Sequence, residues 1–131
     1  MAGSFSNAGE ALALQATLDG KWLALITGTP NETAPGTEVL ALEYQRRQIA
    51  ISVSQGDPTI ATNSDPIEFP AATSSWGTVA WVAVMDAETD GVYLASAQFV
   101  DPNDPETPLP QTIVSGNIVR IPAGTFRFTL E

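Results

Sequence analysis

The longest apolar run in the chain is WGTVAWVAVM (residues 76–85), and a second apolar run, VYLASAQF (residues 92–99), follows a short polar segment. That segment ends in Asp90-Gly91, a pair that supplies the positive φ angles of a tight turn. Two extended runs joined by such a turn predict an antiparallel β-hairpin. We place this hairpin at the centre of the fold.

The first arm of the hairpin is apolar on both faces. Trp81, Ala83 and Met85 alternate with Val82 and Val84, so successive side chains point to opposite sides of the strand. A strand of this kind should be covered on both sides. Trp76 and Trp81 are five residues apart and fall on opposite faces, where core packing explains them better than ligand stacking.

Short apolar segments separated by Gly, Pro, Asn and Asp recur on both sides of the hairpin. Residues 8–18 are rich in Ala and Leu and predict one short helix, with Ala8, Leu12, Leu14 and Leu18 on its apolar stripe. Further strands are predicted at residues 21–27, 45–53, 59–62, 67–69, 112–114, 118–121 and 125–130. This spacing predicts an all-β fold, a single-domain antiparallel sandwich or jelly-roll-like barrel with one short N-terminal helix.

The composition excludes several classes of function. Cysteine and histidine are both absent, which removes disulfides, thiolate zinc sites and mechanisms that need an imidazole or a thiol. Five basic residues against fifteen acidic ones give a net charge of −10, which repels nucleic acid and anionic membranes. No apolar run approaches the ~18 residues of a membrane span. We therefore expect one soluble domain over residues 1–131, with neither a nucleic-acid nor a membrane partner.

Two segments are predicted to lie outside the β-body. Residues 1–6 (MAGSFS) are mostly small, and they predict a flexible N-terminal arm that becomes ordered only against another surface. Residues 101–110 contain four prolines, which fix φ and lack amide donors, and they predict an exposed, stiff loop.

The charged clusters predict contacts rather than catalysis. Residues 86–91 imitate the start of a calcium loop, but position twelve would be Ala97 rather than a bidentate Glu, so a solvated turn explains them better, as it does the acids of residues 101–106. The Arg46-Arg47 pair is able to bind an acidic partner, or to lie solvated or paired with neighbouring acids. We expect no catalytic, cofactor-binding or metal-ligating residues. The candidate interface residues are Phe5, Arg46, Arg47, Asp101, Pro102, Pro105 and Pro108.

An ordered series of short motifs runs through nearly the whole chain. The motifs are NAGEAL (7–12), WLAL (22–25), GTEV (36–39), YQRR (44–47), IEFPAA (67–72), WGTV (76–79) and MDA (85–87). The series resembles a family of small virion structural proteins of tailed bacteriophages, often labelled tail fibre protein and in some cases serving as head decoration. The chain departs from that pattern at residues 40–43, where relatives tend to have a glycine-rich turn, and at residues 101–110, where they have a shorter link.

The resemblance implies a non-enzymatic virion structural protein that is assembled in the host cytoplasm. It favours a capsid decoration, or cement, protein that stabilises the head from outside. The alternatives are a small tail or tail-fibre protein and, with less support, a carbohydrate-binding module or glycan hydrolase. The implied partner is the major capsid protein or a tail structural protein. Closed symmetry further favours a homotrimer.

Overall fold

The computed structural model describes residues 3–101 and 103–130, which contain one helix and thirteen short strands. The helix, α1, spans Asn7–Leu18. The strands are β1 (Trp22–Ile26), β2 (Arg47–Gln48), β3 (Ile51–Ser54), β4 (Thr59–Asn63), β5 (Ile67–Glu68), β6 (Gly77–Val79), β7 (Trp81–Met85), β8 (Tyr93–Gln98), β9 (Val100–Asp101), β10 (Asp104–Pro108), β11 (Gln111–Ile113), β12 (Arg120–Ile121) and β13 (Arg127–Leu130).

The predicted central hairpin is confirmed. Strands β7 and β8 pair antiparallel, and the turn between them has positive φ angles at Asp90 and Gly91. Strand β1 pairs with the other edge of β7 along its whole length, from Trp22 opposite Met85 to Ile26 opposite Trp81. The resulting four-stranded sheet has the order β2-β1-β7-β8.

The second layer is built from shorter antiparallel units. A three-stranded sheet has the order β13-β4-β3, and two-stranded pairs form between β5 and β12, between β6 and β11, and between β9 and β10. The main core holds side chains from both layers, including Leu25 and Val84 of the four-stranded sheet and Ile51 and Ala61 of the three-stranded sheet. The all-β prediction is confirmed as a sandwich, since the described strands do not close into a barrel.

The chain changes sheets where the sequence predicted one continuous strand over residues 45–53. Arg47 and Gln48 pair with β1, whereas residues from Ile51 onwards pair with β4. Ile49 stays buried between the two strands, and its amide donates to the Lys21 carbonyl at 2.9 Å. The apolar alternation was therefore correct although the strand is interrupted.

Both faces of β7 are covered, as predicted. Val82 and Val84 belong to the main core, while Ala83 and Met85 join Ala24 and Ile26 in a smaller cluster on the opposite face. The two tryptophans also lie on opposite faces, but only Trp76 is fully buried. Trp81 is half-buried at the margin of the smaller cluster.

Helix α1 confirms the predicted element, and its predicted apolar stripe is correct for Leu14 and Leu18 but wrong for Ala8 and Leu12, which are exposed. The buried residues are Glu10, Leu14 and Leu18, spaced four apart, whereas Leu12 faces solvent. Glu10 is tolerated in the interior because its Oε1 accepts a hydrogen bond from the buried Thr59 hydroxyl at 3.0 Å. No helix in residues 3–101 and 103–130 is both long and apolar enough to cross a membrane.

Residues 101–110, predicted as an exposed, stiff loop, contain the end of one short strand and the whole of another. Strands β9 and β10 form an antiparallel hairpin, in which Asp104 lies opposite Asp101 and Pro108 opposite Val100. The Leu109 amide extends this pairing to the Phe99 carbonyl at 2.8 Å. Proline removes a donor but keeps its carbonyl, so a short strand with proline can still pair at the edge of a sheet.

Candidate partner interface

The strongest surface feature is a turn with two exposed leucines, residues 40–43, which we call the leucine turn. Leu40 is 88% exposed and Leu42 is fully exposed at 102%. Ala41 between them packs against the main core, which directs the two leucines outward. Exposed apolar side chains grouped on one projecting element are typical of a protein contact surface.

Glu43 fixes one end of the leucine turn. Its Oε1 accepts hydrogen bonds from the Thr73 amide (2.9 Å), the Ser74 amide (3.1 Å), the Ser74 hydroxyl (2.9 Å) and the Trp76 indole nitrogen (2.9 Å). The Trp76 bond is the largest cause that holds the pKa of Glu43 at about 2, below its ordinary 4.5. A carboxylate with four donors ties the turn to residues 73–76.

Glu38 and Tyr44 fix the other side of the turn. The Tyr44 hydroxyl accepts from the Leu25 amide at 2.9 Å and donates to Glu38 Oε2 at 2.6 Å. Its ring lies edge-on to Trp76, with the ring centroids 5.5 Å apart. Burial and the contact with Glu38 both raise the pKa of Tyr44, so the phenol remains a donor at neutral pH.

Arg46 completes this network from the interior. Its guanidinium makes a bidentate pair with Glu38, Nε to Oε2 at 2.9 Å and Nη2 to Oε1 at 2.8 Å. Nη1 donates to the carbonyls of Ala87 and Asp90, both at 2.8 Å, and so ties the turn of the central hairpin to the same group. Burial raises the pKa of Glu38, but the hydrogen bonds from Arg46 and Tyr44 and the charge of Arg46 together outweigh this effect, so the pKa of Glu38 lies below its ordinary value.

The leucine turn is thus held on both sides before any partner arrives. A rigid turn loses little conformational entropy on docking. More of the free energy gained by burying its leucines therefore contributes to the affinity for a partner than in a flexible turn. A cleft of about 300 Å³ lies next to the turn, and residues of the turn form part of its wall. The lining residues are Thr27, Thr37, Glu38, Val39, Leu40, Ala41, Ser74, Ser75 and Trp76.

The predicted interface residues occupy three separate places. Arg46 is buried and engaged in internal contacts, which matches the paired alternative for the Arg46-Arg47 segment. Arg47 is half-exposed, and its Nε donates to the Glu68 carbonyl at 2.9 Å. Phe5 is 64% exposed at the start of α1. Within the described residues, no hydrogen bond or ion pair joins these groups to the β9–β10 hairpin.

Most described residues of the proline-rich segment, residues 101–110, are exposed, as predicted. Asp101 is half-buried, with its Oδ1 accepting from the Asn103 amide at 2.9 Å, and Pro108 is exposed. Pro105 lies in β10. Pro102, like Met1 and Ala2 of the predicted arm, lies outside the described residues.

The acidic clusters serve as caps of local turns. Asp86 Oδ1 accepts from the Val92 amide, and Asp104 accepts from the Glu106 amide and from the Thr107 hydroxyl. In the part of the chain that the structure describes, no three acidic side chains converge in a way that suits a metal ion.

The leucine turn was not predicted as a site from the sequence, although two signals for the network that holds it were present. Tyr44 and Arg46 are two residues apart and share a face of an extended segment, which indicates a common partner. A buried tryptophan also needs an acceptor for its indole nitrogen, and Glu43 provides it. The acceptor is 33 residues away in sequence, so its identity required the structure.

Comparison with protein families adds an independent observation. Residues 9–129, nearly the whole chain, match a family model described as podophage GP4 fiber I protein gp80. No curated protein matches the sequence.

Proposed function

The chain belongs to this podophage fibre family of bacteriophage structural proteins, and from that membership we propose that it is a non-enzymatic subunit of a phage fibre. The family match over residues 9–129 is the observation that carries the proposal. The phage virion family predicted from the sequence motifs is thereby confirmed, and membership implies a component of the virus particle.

The position within the particle is the finer part of the proposal. From the sequence, head decoration was the first expectation and a tail fibre the second, and the acidic charge is compatible with both. We choose the fibre because the family description names a fibre. The absence of histidine and cysteine removes imidazole and thiol chemistry, which leaves carboxylates as the main candidates for a general acid, general base or nucleophile.

We propose that the leucine turn attaches the subunit to another virion protein. Two leucines that are almost fully exposed and rigidly held can fill an apolar pocket of a partner. The chain as a whole carries a net charge of −10, so basic groups around the partner's pocket would be complementary. A tail structural protein fits this role in a fibre, and the major capsid protein would take it in a head decoration.

A homotrimer remains part of the proposal, because closed cyclic contacts are the usual way in which a small subunit matches a symmetric fibre. Sedimentation equilibrium of the purified chain tests it. A single species of three times the chain mass supports the trimer, and a monomer at every concentration contradicts it.

Immunogold electron microscopy of purified particles tests the location. Antibodies raised against the purified chain should label the fibre, and particles from a phage that lacks the gene provide the control. Label confined to the head would replace the fibre with decoration. Label absent from intact and from disrupted particles would overturn the structural role.

A further inference from the structure

A groove of about 920 Å³ has a described lining that includes none of the leucine-turn residues 40–43. Its walls come from the last strands of both sheets, with Ala97 and Gln98 from β8 and Arg127 and Thr129 from β13. Buried apolar residues form part of its lining, among them Val82, Ile113, Val119 and Phe126. The groove is therefore an open seam with an apolar interior.

Both strands that border the groove have an unpaired edge. β8 is the terminal strand of the order β2-β1-β7-β8, and β13 is the terminal strand of the order β13-β4-β3. Among the described residues, neither strand pairs with a second neighbour. Free edges present backbone donors and acceptors that an added strand can satisfy.

The charge of the groove is opposite to that of the chain. Arg120 and Arg127, two of only five basic residues, line it together with the single acid Asp101. Arg120 has only a loose ion pair with Glu68, at 3.8 Å, with both side chains more than half exposed. Such an exposed pair contributes little and leaves the guanidinium able to meet a ligand.

We propose that this groove binds an extended, acidic and apolar segment of another protein by strand addition. Apolar side chains of the segment would enter the interior, acidic ones would meet Arg120 and Arg127, and its backbone would pair with a free edge. A strand of about five to six residues is the usual length for such pairing. A carbohydrate fits less well, because it needs an exposed aromatic ring to stack on. The described lining has two aromatic residues, of which Phe126 is buried and Phe99 is half-buried.

A different protein suits the groove better than a second copy of this chain. The described part of the arm, residues 3–6, has no acid, and the acidic strand β10 is already paired with β9. Residues 86–91 form a turn whose Asp86 caps the Val92 amide. We therefore assign the extended acidic segment to a partner, and this assignment is the same whether the particle position is the fibre or the head.

Peptide binding to the purified chain tests the inference directly. The probe is a fluorescent seven-residue peptide with alternating Val and Glu, and the control peptide replaces each Glu with Lys. We expect saturable binding of the Glu peptide by fluorescence anisotropy, with at least tenfold weaker binding of the Lys peptide. Backbone amide shifts in NMR spectra should change along β8 or β13 and not around the leucine turn.

Variants of the groove provide the second arm of the experiment. Arg120→Gln and Arg127→Gln should each weaken binding about two- to fivefold, as expected for exposed ion pairs. Lys21→Gln removes the same charge outside the groove lining and should leave binding unchanged. Absence of saturable binding, equal binding of both peptides, or equal effects of all three variants would overturn the inference. Self-association that the two arginine variants abolish would also overturn it, in favour of a second copy.

Discussion

The double substitution Leu40→Ser and Leu42→Ser separates the role of the leucine turn in attachment from its role in folding. Both side chains are almost fully exposed, so the free energy of unfolding should change by no more than about 0.5 kcal/mol. Full burial of one leucine is worth about 1.5–3 kcal/mol, which gives about 3–6 kcal/mol for the pair in a contact. Attachment to the particle should then weaken by about 10²- to 10⁴-fold, at 1.4 kcal/mol per factor of ten.

The assay is complementation of a phage that lacks the gene. Wild-type and variant chains are supplied from a plasmid, and the amount in purified particles is measured by immunoblot against another virion protein. Leu12→Ser is the matched control, because Leu12 is 73% exposed on α1 and belongs to no described contact of the leucine turn. Thermal unfolding of each purified chain verifies that the variants are folded.

We expect the double variant to melt within a few degrees of wild type and to be strongly depleted from particles, while Leu12→Ser is incorporated normally. Normal incorporation of the double variant would refute the leucine turn as the attachment surface. Equal depletion of Leu12→Ser would show that incorporation responds to any loss of surface apolarity.

Three further predictions concern the network that holds the turn. As pH falls from about 4.5 towards 2, Glu43 of the folded protein becomes protonated and loses the hydrogen bonds that stabilise its carboxylate. The free energy of unfolding in urea should therefore fall over this pH range, and it should fall less in Glu43→Gln. Equal pH dependence of both proteins would contradict this. Arg46→Met leaves Glu38 without its cation and should lower the free energy of unfolding by about 3–5 kcal/mol in the same assay. Arg47→Met should lower it by under about 1 kcal/mol, and similar losses for the two variants would place Arg46 at the surface. Trp76→Ala should cost about 3–5 kcal/mol, and Trp81→Ala less because that side chain is half-exposed, so the reverse order in thermal unfolding would refute the assigned burial.

Local sequence patterns were sufficient for the central elements. The turn at Asp90-Gly91 and the alternation around Val82 and Val84 determine the hairpin, because positive φ and a period of two are properties of adjacent residues. The continuity of residues 45–53 was overestimated for a related reason. A change of sheet at Ile49 keeps the inward and outward alternation, so the pattern alone does not reveal it.

The candidate site depended on contacts between distant segments. Whether Arg46 is solvated or buried follows from Glu38 and from the carbonyls of Ala87 and Asp90, the latter 44 residues away. The burial of Glu10 likewise requires Thr59, so a scan for apolar residues alone found Leu14 and Leu18 on the buried face of α1 but not Glu10. Polar groups inside a protein are explained by their partners, and those partners are set by the tertiary fold.

Electron cryomicroscopy of the intact particle would show whether the chain is a fibre subunit that attaches through its leucine turn. We expect the β-sandwich to fit density in the fibre, with Leu40 and Leu42 covered by a neighbouring protein whose contact surface is apolar with a basic rim. Density for the chain on the head, or in the fibre with the leucine turn facing solvent, would contradict it.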